Sequence, residues 1–364
     1  MNFLFLLPTD RLGGAERVAM NLVRYLSSNK QNKVFVYFLS LDNSGCWDEF
    51  INIDNVSINY AYKGSVKFGF VSFLVFYKKL IESADLVYST HAHVNSLLCL
   101  SRRLSLFKCG KLVLRESSIL SMRFSGLKKL LIDLIYLSYG NQDLLICQTS
   151  LMREKISSHR GERIAKNSKV IPNPIDIDAI VKLSNNNVVM KANPGTFSMI
   201  MVGRLIHIKN HKLVLEALRD VKESFTLTIV GDGELRGILT DLCREYDLLD
   251  KVEFIGNVKN PYQYMAKADL GIISSFSEGF PNVLIEMMAS GTNDIVITPC
   301  TGDLDAIPSI TVTDGFSVEE MRTTLANKIK LPLIKNEEYK DFVQLRDVDN
   351  YWAEIQEALE FEYK

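Results

Sequence analysis

The chain has 364 residues, 47% of them apolar and 23% charged, with a formal net charge of −1. Such a composition excludes collagen-like, low-complexity and disordered classes, and the length suits two domains better than one. The near-zero charge conceals a split: residues 1–180 carry 23 Lys/Arg against 15 Asp/Glu (+8), and residues 181–364 carry 19 against 28 (−9).

The first apolar run, Asn2–Leu7, has no basic residues ahead of it and reads as a buried strand rather than a signal peptide. It leads into Gly13-Gly14 and a helix over residues 14–27, whose apolar residues Ala15, Val18, Ala19, Leu22, Val23 and Leu26 follow helical spacing. A glycine pair ahead of a helix lets the backbone approach a phosphate at the positive end of the helix dipole. The absence of G-x-G-x-x-G argues against a dinucleotide dehydrogenase. Further strands are expected at residues 34–39, Leu86–Ser89, 112–114 and Leu144–Cys147. Residues 68–77 are the most apolar segment, yet they are too few to span a membrane and end in Lys78-Lys79. His91 and His93 follow one strand, as acid/base groups or as ordinary polar strand ends. Arg115 and Glu116 end another and are expected to face a cleft. Residues 128–139, with Lys128-Lys129 ahead of Leu130, Leu131, Leu134, Ile135 and Leu137, read as a core helix, with a membrane-facing role as the second reading.

Two prolines in Ile171-Pro172-Asn173-Pro174-Ile175-Asp176 forbid helix and mark a linker, followed by a polar stretch over 184–194. Strands resume at 198–202, 226–230, 252–255, Leu270–Ile273 and 295–298. Short apolar runs alternating with amphipathic stretches indicate the α/β class: two doubly wound, Rossmann-like domains facing across a cleft. The expected division is 1–175, 176–348, and a final helix over 349–364 crossing back to the first domain. The six cysteines (46, 99, 109, 147, 243 and 300) form no C-x-x-C pair and fit a reducing, cytoplasmic setting.

Chemistry concentrates in the second half. Arg204 and Lys209 leave a strand together, where a guanidinium fork and an ammonium can neutralise a diphosphate leaving group without a metal. Gly231-Asp232-Gly233 is expected to shape a turn, and the triplets Asp176-Ile177-Asp178 and Asp303-Leu304-Asp305 read as structural rather than metal-binding. In Glu278-Gly279-Phe280-Pro281-Asn282-Val283-Leu284-Ile285-Glu286, Pro281 is placed as the first helical residue and Gly291 as the residue past the end. Glu278 then precedes the helix and Glu286 lies about one turn inside it. Backbone N–H groups at 280–283 suit an anion. The two carboxylates and this helix start together match the hydroxyl clusters and diphosphate of a nucleotide sugar.

In combination these residues resemble the family-4 retaining glycosyltransferases of the GT-B fold. The likeness rests on Gly13-Gly14-Ala15-Glu16-Arg17-Val18, Ile171-Pro172-Asn173-Pro174-Ile175-Asp176, Gly203-Arg204-Leu205 with Lys209, Gly231-Asp232-Gly233, residues 252–258 and the Glu278…Glu286 motif, in order over most of the chain. The resemblance implies that Arg204 and Lys209 hold the donor diphosphate, with Gly13 and Gly14 close to it. It implies that Glu278 and the Gly279, Phe280, Pro281, Asn282 and Val283 segment meet the donor sugar and phosphate, Glu286 the ribose and Val258 the base. Front-face transfer would let the leaving phosphate take the acceptor's proton, so no side-chain base is required. His93, Arg115 and Glu116 are the acceptor-side candidates. Two departures stand out: Glu116 occupies a region where many relatives have a histidine, and Gly291 is not followed by the usual proline.

The expected activity is therefore retaining transfer of a hexosyl or N-acetylhexosaminyl group from a nucleotide-diphosphate sugar, with UDP as the expected nucleotide. The expected acceptor is a saccharide or a lipid-linked saccharide in bacterial surface polysaccharide synthesis. No metal, no other cofactor and no nucleic acid are expected. The basic first half suggests an anionic membrane surface as a further partner, and peripheral association on the inner face of the membrane. A non-catalytic nucleotide-sugar-binding protein and a sugar-nucleotide epimerase are the alternative readings.

Overall fold

A computed structural model describes residues 1–41, 43–61, 65–118, 126, 137–160, 164, 167–186, 195–331 and 336–360. Lys63, Lys128, Lys129 and most of the helix expected over 128–139 lie outside the described residues. The chain divides into two compact units: Met1–Pro174 with Val348–Lys364, and Ile175–Asp347. Each border falls one residue earlier than the division read from the sequence.

The first unit is built on a seven-stranded sheet of order β3-β2-β1-β4-β5-β6-β7. Its strands are β1 (Asn2–Leu7), β2 (Lys33–Phe38), β3 (Val56–Tyr60), β4 (Leu86–Ser89), β5 (Lys111–Arg115), β6 (Leu144–Cys147) and β7 (Ser168–Val170), and every pairing is parallel. Parallel strands need crossover connections that cover both faces, which is why these runs are apolar on both sides. In β1 the alternation is complete: Phe3, Phe5 and Leu7 enter one core, and Leu4 and Leu6 the other. The helix Gly14–Ser28 covers the first of these faces, joined by the helix Val348–Leu359 through Tyr351, Trp352, Ile355 and Leu359. The Trp352 ring meets Phe3 edge-on at 5.5 Å, and the buried Tyr351 and Tyr88 hydroxyls lie 2.8 Å apart.

The second unit repeats the plan with six strands in the order β10-β9-β8-β11-β12-β13. These are β8 (Phe197–Val202), β9 (Phe225–Val230), β10 (Val252–Gly256), β11 (Leu270–Ile273), β12 (Asp294–Ile297) and β13 (Thr311–Val312), again all parallel. Met199 and Met201 enter one core and Ile200 the other. Asp176 caps the helix Ile177–Ser184 by accepting the Ala179 N–H at 3.0 Å, a structural role for the first acidic triplet. Three strands had no sequence expectation: β3, β7 and β13. All lie at sheet edges, and β7 and β13 are short.

Candidate active site

In each sheet the strand order reverses once, between β1 and β4 and between β8 and β11. Loops leaving adjacent carboxyl ends diverge at such a switch point and open a crevice for ligand. Gly13, Gly14 and His93 in the first unit, and Arg204, Lys209 and Glu278 in the second, follow the strands that flank these points.

In the second unit the loop after β8 carries Arg204 and Lys209, and the loop after β11 carries Glu278. Lys209 Nζ lies 2.6 Å from Glu278 Oε1, and Ser275 Oγ donates to the same oxygen at 2.8 Å. Ser274 Oγ donates to the carbonyls of Lys209 and Asn210 at 2.9 and 3.0 Å, and the Phe276 N–H to that of Ile208 at 2.8 Å. These bonds lace the two loops together and fix the ammonium against the carboxylate. Glu278 Oε2 makes no hydrogen bond among the described residues, which leaves an acceptor for a ligand hydroxyl. Arg204 stands exposed, and its side chain makes no hydrogen bond or ion pair among the described residues. A paired cation and an unpaired one therefore flank the same switch point. Cys300, whose carbonyl accepts the Glu278 N–H at 2.7 Å, has its thiol pushed up to about 12 by burial and by Glu278, so it stays protonated and is no nucleophile.

The helix Asn282–Ser290 follows, and Gly291 ends it in the left-handed conformation at φ 93°. Pro281 is the N-cap rather than the first helical residue: its ψ of 100° is extended, so the helix begins one position later than expected. Gly279 and Phe280 are buried, and Thr301 Oγ1 fixes this turn by donating to the Gly279 carbonyl at 2.8 Å. At the helix start the ladder supplies no partner for the Val283 N–H, which suits an anion. Glu286 is buried just over one turn in, and Val258 packs half-buried on the core beside this helix.

Gly231-Asp232-Gly233 proves to be a packing device. A Cβ on Gly231 would lie 2.0 Å from the Gly203 carbonyl oxygen, and one on Gly233 would lie 2.5 Å from that of Leu205. The glycines let the Arg204 loop pass directly over the end of β9. His211, buried two residues beyond Lys209, has its pKa lowered from 6.5 to about 4, first by burial and then by the Lys209 charge. The unfolded chain therefore binds this proton first. Stability should fall as pH drops from 6.5 towards 4, by up to about 3 kcal/mol from this group. Urea titrations across that window should show His211→Leu with a shallower slope than the parent, and equal slopes would refute the assignment.

In the first unit Gly13 is the N-cap of the helix Gly14–Ser28. Glu16, on the helix's first turn, reaches back to accept the Gly13 N–H at 3.1 Å, and its other oxygen lies 3.1 Å from His91 Nε2. A carboxylate has no proton to give, so Nε2 donates, while Nδ1 lies 2.9 Å from the Thr90 hydroxyl. Burial pushes the Glu16 carboxyl up, but the His91 contact and the backbone N–H bonds outweigh it and hold the group below its ordinary value. His93 is exposed, its ring 5.8 Å from that of His91.

Arg115 and Glu116 do not face a cleft, which corrects the expectation for both. They are 1% and 0% exposed. Arg115 donates to Asn173 Oδ1, and Asn173 donates to Gln148 Oε1 at 2.8 Å. Gln148 in turn donates to the Glu116 carbonyl at 2.6 Å, while the Glu116 side chain accepts from Tyr139 Oη and, at 3.1 Å, from Asn95 Nδ2. Both side chains are thus enclosed at this strand end, with Arg115 Nε and Nη1 lacking a partner among the described residues. Ser274, Ser275 and Glu16 had no site role in the sequence reading, whereas His91 was weighed there as an acid/base group. The Gly13-x-x-Glu16 spacing of a capping residue was the available signal for Glu16; the serines carried none.

Residues 186–345 match the model of the glycosyl transferases group 1 family. That segment holds Arg204, Lys209, Glu278 and Glu286. The chain is 29% identical over 287 residues to a Campylobacter jejuni N-acetylgalactosamine-N,N'-diacetylbacillosaminyl-diphospho-undecaprenol 4-alpha-N-acetylgalactosaminyltransferase, covering 76% of this chain and 75% of the relative. It is 27% identical to an uncharacterized glycosyltransferase of Methanocaldococcus jannaschii over 63% of this chain, and spans only 60% of that relative's length. Among solved structures, Anabaena Alr3699/HepE in complex with UDP and glucose superposes with a TM-score of 0.79 at 19% identity, covering 99% of both chains. The fold is thus the α/β, two-Rossmann-domain fold of the GT-B glycosyltransferases.

Proposed function

We propose that this protein transfers a hexosyl or N-acetylhexosaminyl group from a UDP-sugar to a lipid-linked saccharide in bacterial surface polysaccharide assembly, with retention at the anomeric carbon. The observation that carries the reading is the Lys209–Glu278 contact of 2.6 Å beside the exposed Arg204 at the β8/β11 switch point. In the reaction the bond from the anomeric carbon to the diphosphate oxygen breaks and the acceptor oxygen bonds to that carbon on the same face. The departing phosphate oxygen takes the acceptor's proton, and UDP leaves. Arg204 and Lys209 neutralise the charge growing on the diphosphate, the task a divalent ion performs elsewhere. Glu278 accepts from a sugar hydroxyl through Oε2, and Glu286 and Val258 serve the nucleoside. The acceptor reading is supported by the undecaprenol-linked glycan in the name of the Campylobacter jejuni relative, and it implies work at the inner face of the membrane.

Saturating UDP-sugar should raise the melting point, since a ligand at 100 times its dissociation constant adds about 2.7 kcal/mol. Turnover with a lipid-linked acceptor should then survive exhaustive chelation and give a product of unchanged anomeric configuration. Stabilisation without turnover would leave a binding protein, and conversion of the donor sugar without acceptor would reveal an epimerase. Activity that chelation abolishes and magnesium or manganese restores would overturn the cationic account of the leaving group.

A further inference from the structure

The helix Val66–Phe76 is apolar on the side that does not meet the sheet. Gly69, Phe70 and Phe73 bury one face, whereas Phe68, Val71, Val75 and Phe76 are 72%, 59%, 66% and 77% exposed. Their positions, i, i+3, i+7 and i+8, form one stripe along the helix. A helix on an ordinary water-facing surface carries polar residues there. This one carries a single charged residue, Lys67, and Lys78 and Lys79 follow directly after its end. All three lysines are exposed, and Lys78 also reaches Glu82 at 3.7 Å.

The stripe is held rigidly. A Cβ on Gly69 would lie 2.0 Å from the Leu39 carbonyl oxygen, so the helix backbone sits directly against the chain leaving β2. Phe73 and Tyr77 pack on the Tyr37 ring at 4.7 and 4.9 Å. Turning the stripe inward would break these contacts, so the apolar side chains are presented to something outside the unit.

We infer that this stripe is the surface by which the protein docks on an anionic lipid bilayer, with the helix lying in the interface plane and the three lysines meeting acidic headgroups. An eleven-residue helix is too short to span and long enough to lie flat. Charge selects the occupant. A second copy in isologous contact through this stripe would bring the lysines of one copy close to those of the other, whereas acidic headgroups complement them and the excess of 23 Lys/Arg over 15 Asp/Glu in residues 1–180. The docking gives purpose to the lipid-linked acceptor proposed above and rests on that reading for its purpose alone.

Flotation of the full chain with phosphatidylcholine vesicles, with and without phosphatidylglycerol, tests the inference without any sugar substrate. The parent should float with the anionic vesicles at low salt and release as salt rises. Phe68→Glu/Phe76→Glu and, separately, Lys67→Glu/Lys79→Glu should each weaken binding by about tenfold or more. Both pairs lie on the exposed face, so unchanged thermal melts and unchanged stabilisation by UDP-sugar will show that the variants fold. Equal binding to neutral and anionic vesicles, or equal flotation of parent and variants, would overturn the proposal. So would a concentration-dependent dimer in sedimentation that Phe68→Glu/Phe76→Glu dissolves, since the occupant would then be a second copy. Flotation as expected with no response to any UDP-sugar would leave the surface standing and remove the proposed donor.

Discussion

Lys209→Ala is expected to lower turnover by roughly 100-fold or more, with a smaller change in donor affinity. The ammonium is fixed before substrate arrives: Glu278 Oε1 holds it at 2.6 Å, and Ser274 ties its backbone to the neighbouring loop. A charge placed in advance stabilises the transition state without reorganising, and removing one such donor costs about 3 kcal/mol. Arg204→Ala should show a loss of similar size for a different reason. Its guanidinium is exposed and makes no ion pair among the described residues, so in the proposed reaction it is free to meet the diphosphate. Lys209→Ala also strands Glu278 next to Ser275 without its counter-charge. Adding Glu278→Gln to Lys209→Ala should therefore cost less than the two separate losses combined, because the two groups act as a unit. Steady-state kinetics on the four proteins checks this. Near-normal turnover in both Arg204→Ala and Lys209→Ala, or full additivity in the cycle, would remove the clamp from the mechanism.

Legibility in the sequence followed burial. Runs such as Asn2–Leu7 and Leu270–Ile273 are apolar throughout because a parallel sheet buries both faces, and they stand out without any structural knowledge. The edge strand β3, Val-Ser-Ile-Asn-Tyr, is only partly buried and carries polar residues, and β13 is two residues long, so neither leaves a signal of comparable strength. The placement of Arg204, Lys209 and Glu278 in loops after strands was legible because charged residues after apolar runs mark strand ends, where α/β sheets bind ligands. The same rule misplaced Arg115 and Glu116. Both follow a strand, but both are buried: the Glu116 carboxylate meets Tyr139 and Asn95 and one Arg115 nitrogen meets Asn173, all 20 or more residues away in sequence. Only the fold reveals such partners. Pro281 was one position out because proline fixes φ but leaves ψ open, and its ψ of 100° makes it the N-cap rather than the first helical residue that proline favours.

The largest effect on stability is expected at Gly231, through the same loop that carries Arg204 and Lys209. This glycine has φ +135°, and an added Cβ would lie 2.0 Å from the Gly203 carbonyl oxygen. Its N–H donates to Gly256 at 2.8 Å, while the Gly203 N–H donates to Val230 at 2.9 Å, so the ends of β8, β9 and β10 are locked together at this point. Gly231→Ala cannot relieve the contact by rotating a side chain, because both groups belong to the backbone. Either the strand end moves or the loop bearing Arg204 lifts. Strained φ and overpacking together should destabilise by about 3 kcal/mol or more. For a unit of this size that lowers the melting point by roughly 6 to 12 °C. Displacement of Arg204 and Lys209 should at the same time lower turnover well below the parent even at temperatures where the variant is fully folded. Gly237→Ala is the matched control. It lies in the helix Arg236–Glu245 with nothing within 4 Å of the added Cβ, and should leave activity intact and stabilise by about 0.5–1 kcal/mol. Calorimetry with parallel turnover assays separates the outcomes. A Gly231→Ala protein that melts with the parent and turns over normally would mean that the Gly203 loop is not seated on β9 as described.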